Sequence, residues 1–214
     1  GVPVTRLPGF HQGWVTVQDP STLLAVDMME VLPGQRVLDV CSAPGGKTMA
    51  LAERMGGTGW LLALDADGRR LQRVKENAAR LGHTWIETAV VDLTGGAPAR
   101  SDLQPGTFDA VLLDVPCTNT GVLRRRPDAR WNFSLDRLHR AVAQQRRILD
   151  AAAPYVRTGG RLVYSTCSLE AEENEEQVAA WLAAHPDFRL DVERQLVPPG
   201  SLCDGAYAAR LCRA

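Results

Sequence analysis

Apolar residues along this chain fall into two alternating rhythms. Short apolar runs at Val37-Leu38-Asp39-Val40, Trp60 to Leu64, Ile86 to Val91, Phe108 to Leu113 and Arg161 to Ser165 read as buried strands. Between and after them, Thr48 to Met55, Gly68 to Leu81, Leu135 to Val156 and Glu172 to Ala184 carry helical spacing. The last of these has an apolar face of Val178, Trp181 and Leu182. Strands alternating with helices specify an α/β fold, a mostly parallel, doubly wound sheet with helices on both faces. The tail from Phe188 to Leu211 is a weaker signal, with short strand-like pieces broken by Pro198, Pro199 and Gly200. Residues 1–33 are expected to be a lead-in segment packing on a single domain of residues 34–214.

Acidic residues close four of these strands: Asp39, Asp65, Asp92 and Asp114. An open α/β sheet binds its ligand at the carboxyl ends of its strands, so four carboxylates in register there predict a ligand crevice. One aspartate alone would be an ordinary cap or turn residue. After the first strand comes Cys41-Ser42-Ala43-Pro44-Gly45-Gly46-Lys47-Thr48, which misses the phosphate-loop pattern because Cys41 stands where its first glycine is required. An adenosine cofactor suits the loop better, with glycines allowing close backbone approach and Asp65 set to accept from ribose hydroxyls.

Two cysteines, Cys117 after Asp114-Val115-Pro116 and Cys167 after Tyr164-Ser165-Thr166, each follow an apolar strand. If those strands are parallel neighbours, about 4.8 Å apart, both thiols open into one crevice beside Asp114. That pairing points to covalent chemistry by a thiolate. The bland alternative, a small buried hydrophobe, suits Cys203 and Cys212, which lack such a setting. Cys41 has no partner at metal-ligand spacing, so no metal is expected, and the scattered His11, His83, His139 and His185 receive no role.

Composition narrows the function classes. Net charge is -1, so no global field draws nucleic acid, yet Arg124 to Arg147 holds eight arginines against Asp128 and Asp136. This strip is either an RNA-facing surface or a consequence of the arginine-rich composition, 22 arginines to 2 lysines. No apolar run approaches the roughly 20 residues needed to span a bilayer. Gly1 to Gly9 do not read as a secretory signal, and five irregularly spaced cysteines suit reduced thiols. A cytoplasmic monomer is the expectation.

Several segments together resemble the Sun-type (Fmu family) RNA cytosine-5 methyltransferases, from about Gly13 to Leu211. They are Trp14-Val15-Thr16-Val17-Gln18-Asp19, Asp39 to Thr48, Asp114-Val115-Pro116-Cys117-Thr118-Asn119-Thr120-Gly121, Arg124-Arg125-Arg126-Pro127-Asp128 with Trp131, and Tyr164 to Ser168 with Glu172-Glu173-Asn174. Departures are Val115 where alanine is usual, Asn119 where a smaller residue is common, and Arg126 where histidine is frequent.

The resemblance implies a Rossmann-like S-adenosylmethionine-dependent methyltransferase fold and formation of 5-methylcytosine in RNA, with ribosomal RNA preferred over transfer RNA. It implies Cys167 as the group that adds to cytosine carbon 6 and Cys117 as an aid to its release. Asp114 would hold the cytosine edge, and Lys47 would reach the substrate pocket or the cofactor edge. The expected cofactor-binding set is Cys41, Ser42, Ala43, Pro44, Gly45, Gly46, Lys47, Asp65, Arg70, Asp92 and Asp114.

A cytosine inside a duplex hides carbon 6, so the target must be single-stranded or flipped out. Arg124, Arg125 and Arg126 would meet phosphates, and Trp131 would stack a base or anchor the following helix. Glu170 to Glu176 reads as a solvated helix start. The family usually carries further RNA-binding sequence ahead of Val17-Gln18-Asp19, so the chain is either a fragment or a small member. An amino-group methyltransferase, a nucleotide hydrolase built on Gly46-Lys47-Thr48 and a silent RNA-binding scaffold are the competing classes.

Overall fold

The computed structural model describes residues 2–96 and 100–214. A seven-stranded sheet forms its centre: β1 (Arg36–Val40), β2 (Trp60–Asp65), β3 (Glu87–Val90), β4 (Phe108–Asp114), β5 (Val156–Thr166), β6 (Phe188–Leu196) and β7 (Ala206–Arg213). The order across the sheet is β3-β2-β1-β4-β5-β7-β6, with β7 antiparallel to both neighbours and every other pairing parallel. Chain order runs outward from β1 to β3 and then returns to β4, so the β1/β4 boundary is the switch point where such sheets bind ligands.

Helices α1 (Leu23–Met29), α2 (Gly46–Met55), α3 (Gly68–Leu81), α4 (Asp128–Asn132), α5 (Leu135–Ala152) and α6 (Glu175–Ala184) accompany the strands. β1, β2 and β4 are buried almost throughout, with Leu38, Leu62 and Leu113 at the centre of one apolar layer. On the other side Val37, Leu61 and Leu112 pack with Met29, Leu51 and Met55, so α1 of the lead-in contributes to this layer. Burial on both sides explains why these strands read as continuous apolar runs. Among the described residues, no helix is long and apolar enough to cross a membrane.

Local chemistry sets the helix ends. The Asp67 side chain caps α3 by accepting from the Arg69 N–H at 2.8 Å, and Gly82, at φ 79°, ends it. Ser134 caps α5 by accepting from the Arg137 N–H at 3.2 Å.

Three expectations need correction. The long helix predicted to Val156 stops at Ala152, because Pro154 cannot donate to a continuing ladder, and Val156 already pairs with Phe108 in the sheet. The weak tail is two full strands rather than short pieces, with Pro198, Pro199 and Gly200 breaking them apart as expected. Alanine-rich β7 gives little strand signal of its own, yet it lies between β5 and β6 and is mostly buried. The last predicted helix begins at Glu175 rather than Glu172, after a 3-10 turn over Ala171–Glu173.

Candidate active site

At the carboxyl end of β1 the chain turns through Cys41 (φ 60°) and Gly45 (φ 103°) before α2 begins. Gly45 is required there twice over, by its left-handed backbone and because a Cβ would stand 3.3 Å from Val74 Cα. The Thr48 hydroxyl donates to Asp39 Oδ2 at 2.6 Å, while buried Asp39 Oδ1 and Ser42 Oγ have no partner in the described structure. Burial pushes the Asp39 carboxyl up to about 7, with the Thr48 bond pulling the other way and Asp114 adding to the rise. Burial also pushes the Cys41 thiol up to about 12, with Asp65, Asp114 and Asp39 nearby, so Cys41 remains protonated.

Asp65 ties this loop to β2: its Oδ2 accepts from the Ala43 N–H at 3.1 Å and its Oδ1 from the Asp67 N–H at 2.9 Å. Each oxygen retains a lone pair. The Arg70 guanidinium donates to the Ala43 carbonyl at 2.7 Å and flanks Asp65 at 3.9 Å. Asp92 is exposed and accepts from the Thr94 hydroxyl and N–H, which hold its carboxyl below the usual range.

Lys47 reaches across the switch point, its Nζ 2.7 Å from Asp114 Oδ2. Burial works against the ammonium, but the charge and hydrogen bond of Asp114, with Cys167 and Asp39, carry its pKa above the ordinary lysine value. This lysine is already paired with a carboxylate, whereas a nucleotide hydrolase would need it on the phosphates of its ligand.

β4 and β5 are parallel neighbours, with Asp114 opposite Ser165, so their exit loops leave side by side. Cys117 Sγ and Cys167 Sγ lie 3.2 Å apart. The Cys117 S–H bonded to it holds the Cys167 thiol below its ordinary value against burial, with help from Lys47. The same bond, with burial, drives Cys117 well up. Cys167 is therefore the better thiolate and Cys117 the better proton holder.

Both cysteine loops are fastened to Glu173, which is fully buried. Its carboxylate accepts from the Thr118 N–H at 3.0 Å, from Gln145 Nε2 at 2.7 Å, and from the Thr118 and Ser168 hydroxyls. Thr118 follows Cys117 and Ser168 follows Cys167, so one carboxylate fixes the separation of the two sulfurs. Glu172, Glu175 and Glu176 are exposed, the last two in the first turn of α6, so the expectation of a solvated helix start is corrected only at Glu173 and Asn174, which are buried. Four donors turned toward Glu173 make its burial tolerable. A second strap is backbone: the Gly121 N–H donates to the Cys167 carbonyl at 3.0 Å, and the Gly205 N–H to the Gly121 carbonyl at 2.8 Å. Asn119, at φ 63°, donates from Nδ2 to the Cys117 carbonyl at 3.0 Å and accepts at Oδ1 from the Cys167 S–H at 3.1 Å.

The basic strip divides. Arg124 and Arg125 face two buried carboxylates, Asp19 and Asp204: Arg124 lies 3.6 Å and 3.4 Å from them, Arg125 Nε lies 3.0 Å from Asp204, and Arg125 also pairs with Asp19. Arg126 is exposed beside exposed Asp128 at 3.4 Å. Trp131 is 84% exposed, so it does not anchor the following helix in the core. Asp19, Asn119, Gln145, Glu173 and Asp204 were not singled out as site residues from sequence. Asp19 and Glu173 stood inside quoted motifs, but nothing in a linear pattern says that a carboxylate will be enclosed by a distant loop. Among the described residues, no three histidine, cysteine, aspartate or glutamate side chains are grouped to hold a metal ion.

Residues 26–211 match the family described as 16S rRNA methyltransferase RsmB/F. The ribosomal RNA small subunit methyltransferase B of Photorhabdus laumondii is 39% identical over 99% of this chain and 50% of its own length. The crystal structure of PH0851 superposes with a TM-score of 0.93 at 32% identity, covering 99% of this chain and 50% of that one. NSun6 from Pyrococcus horikoshii with SFG gives 0.87 at 27% identity, over 99% and 56%. The chain spans about half the length of the curated relatives it matches.

Proposed function

The chain belongs to the RsmB/F family of 16S rRNA methyltransferases, and on that premise we propose that it carries the catalytic part of an S-adenosylmethionine-dependent enzyme forming 5-methylcytosine in ribosomal RNA. The observation that carries this reading is the pair of sulfurs 3.2 Å apart, at the mouths of adjacent parallel strands and beside the Lys47–Asp114 pair.

The glycine loop fits the cofactor. Asp39 Oδ1 and Ser42 Oγ are buried without a partner among the described residues, as expected of groups that face a polar ligand. Gly45 lets backbone approach, and Asp65 keeps acceptor capacity for ribose hydroxyls. S-adenosylmethionine, when bound, supplies an electrophilic methyl group.

The chain's own residues do the rest. The Cys167 thiolate uses a sulfur electron pair to bond cytosine carbon 6, which moves ring electron density onto carbon 5 and makes that carbon nucleophilic. Asp114 holds a proton at ring nitrogen 3, which neutralises the negative charge that thiolate addition gathers there, and Lys47 pairs with Asp114. After methylation the carbon 5 proton passes to solvent water, the electron pair it leaves behind restores the ring double bond, and the carbon–sulfur bond breaks with its electron pair going to the Cys167 sulfur. The Cys117 S–H donates to the departing sulfur and makes it a better leaving group. A reduced cytoplasmic setting suits two thiols that must both stay free.

Methyl transfer from labelled cofactor to ribosomal RNA tests the proposal. Cys167→Ala is expected to abolish it, whereas Cys117→Ala leaves a protein–RNA adduct that survives a denaturing gel. Normal turnover by Cys117→Ala would refute this division of labour. RNA binding without cofactor affinity, measured by calorimetry, would favour the scaffold class instead.

A further inference from the structure

Among the described residues, Asn119 is the one side chain hydrogen-bonded both to the Cys117 carbonyl and to the Cys167 sulfur, and the geometry fixes which way its amide points. Nδ2 donates to the Cys117 carbonyl at 3.0 Å, so the reversed amide would set oxygen against oxygen. Oδ1 must then face Cys167 Sγ, 3.1 Å away. An amide oxygen accepts from a thiol S–H and repels a thiolate. The side chain cannot readily leave, because Glu173 holds the preceding Thr118 and Gly121 is strapped to the Cys167 carbonyl. The left-handed turn at φ 63° is one that asparagine tolerates and glycine adopts freely.

We propose that Asn119 holds the Cys167 sulfur as a thiol in the resting site and so sets the threshold at which the attacking thiolate forms. The inference deepens the reading of Cys167 as nucleophile and rests on it for its catalytic meaning. Other groups facing the sulfur pull in both directions. The Cys117 S–H at 3.2 Å and the Lys47 ammonium favour the thiolate, while burial and the carboxylates of Asp114 and Glu173 oppose it. Among the hydrogen-bond partners of the sulfur, Cys117 stabilises the charged form and Asn119 the neutral one. Asn119 therefore keeps the resting nucleophile from reacting with stray electrophiles.

The test needs neither RNA nor cofactor. Alkylation of Cys167 by iodoacetamide is followed across pH by mass spectrometry of its peptide, in the otherwise unaltered chain. Asn119→Gly keeps the turn and removes the acceptor, so the midpoint should fall by about one pH unit, with several-fold faster alkylation at neutral pH. Asn119→Asp sets a negative charge near the sulfur and should raise the midpoint by about the same amount. A merely structural role would not move the two variants in opposite directions. An unmoved or raised midpoint in Asn119→Gly, or an unmoved one in Asn119→Asp, overturns the inference. Opposite shifts in a chain that transfers no methyl group to RNA would keep the role of Asn119 and remove the catalytic reading.

Discussion

Lys47 Nζ and Asp114 Oδ2 meet at 2.7 Å across the β1/β4 switch point, joining the end of the glycine loop to the strand that leads into the Cys117 loop. The lysine is the more enclosed partner, so losing the aspartate leaves a buried ammonium uncompensated. Asp114→Asn is expected to cost about 1–3 kcal/mol in urea unfolding, tempered by the partial exposure of Asp114. Lys47→Met leaves only the more exposed Asp114 without its partner and should cost less, about 1 kcal/mol or below, while both should lower methyl transfer by about 100-fold or more. The double variant should be less than additive in stability, and strict additivity would show that the two are not coupled. Because the Lys47 pKa is raised, its contribution persists through neutral pH and is lost only above the ordinary lysine range.

Asp39 gives the fold an acid-side signature. Its carboxyl is pushed up to about 7 in the folded chain, against 3.8 for the unperturbed group. Between those values the folded chain binds a proton that the unfolded chain does not, so stability falls as pH rises. The contribution is fully present below about pH 4 and gone above about pH 7. Urea midpoints over this window should decline with pH, and Asp39→Asn should flatten the decline. An unchanged slope in that variant would place the titration elsewhere.

Glu173 should matter more than any residue that touches neither sulfur. Glu173→Ala strands the Thr118 N–H and one of the two Gln145 Nε2 hydrogens in a closed space, while the Ser168 hydroxyl can turn to Thr118 or Thr120, at an expected cost of about 2–3 kcal/mol. Glu173→Gln keeps the shape but opposes one donor with another, for a smaller cost of about 1–2 kcal/mol. Thermal melts read the stability. Gel-stable adduct formation by Cys117→Ala, with and without Glu173→Gln, reads how well the Ser168 bond to Glu173 places Cys167 against the base. Equal adduct yields would mean that Glu173 serves the fold and not the placement of Cys167.

The contrast between Glu173 and the aspartates shows what a linear reading can reach. Asp39, Asp65 and Asp114 were legible because each follows an apolar run, and strand ends of a parallel sheet converge at a known place. Cys117 and Cys167 were legible for the same reason. Glu173 looked solvated because its neighbours in sequence are acidic, and only the return of the Cys117 loop and α5 encloses it. The strands β6 and β7 were obscured similarly. The alanines of β7 are strand residues because two strands flank them, which is a fact of topology and not of propensity.

The arginine strip separates into residues that hold the fold and exposed residues that the proposed function sets against RNA. Arg125 neutralises Asp19 and Asp204, both buried; burial opposes the charge of Asp19, but the Ser21 and Asp204 N–H groups and Arg125 hold its carboxyl below the usual range. Arg125→Ala should therefore lower stability by about 1–3 kcal/mol, since it leaves enclosed carboxylates short of a partner. Arg126 has only exposed Asp128 for company, so Arg126→Ala should leave the melt within about 0.5 kcal/mol of the parent. Its effect should appear in single-stranded RNA binding, where losing one phosphate contact reduces the slope of log affinity against log salt by about 0.7. Trp131→Ala should weaken the same binding by about 1–3 kcal/mol without changing the slope, because stacking releases no counterions. Fluorescence anisotropy across a salt series separates the three. An Arg125→Ala chain that melts normally but loses salt-dependent binding would move Arg125 from the carboxylate cluster to the RNA surface.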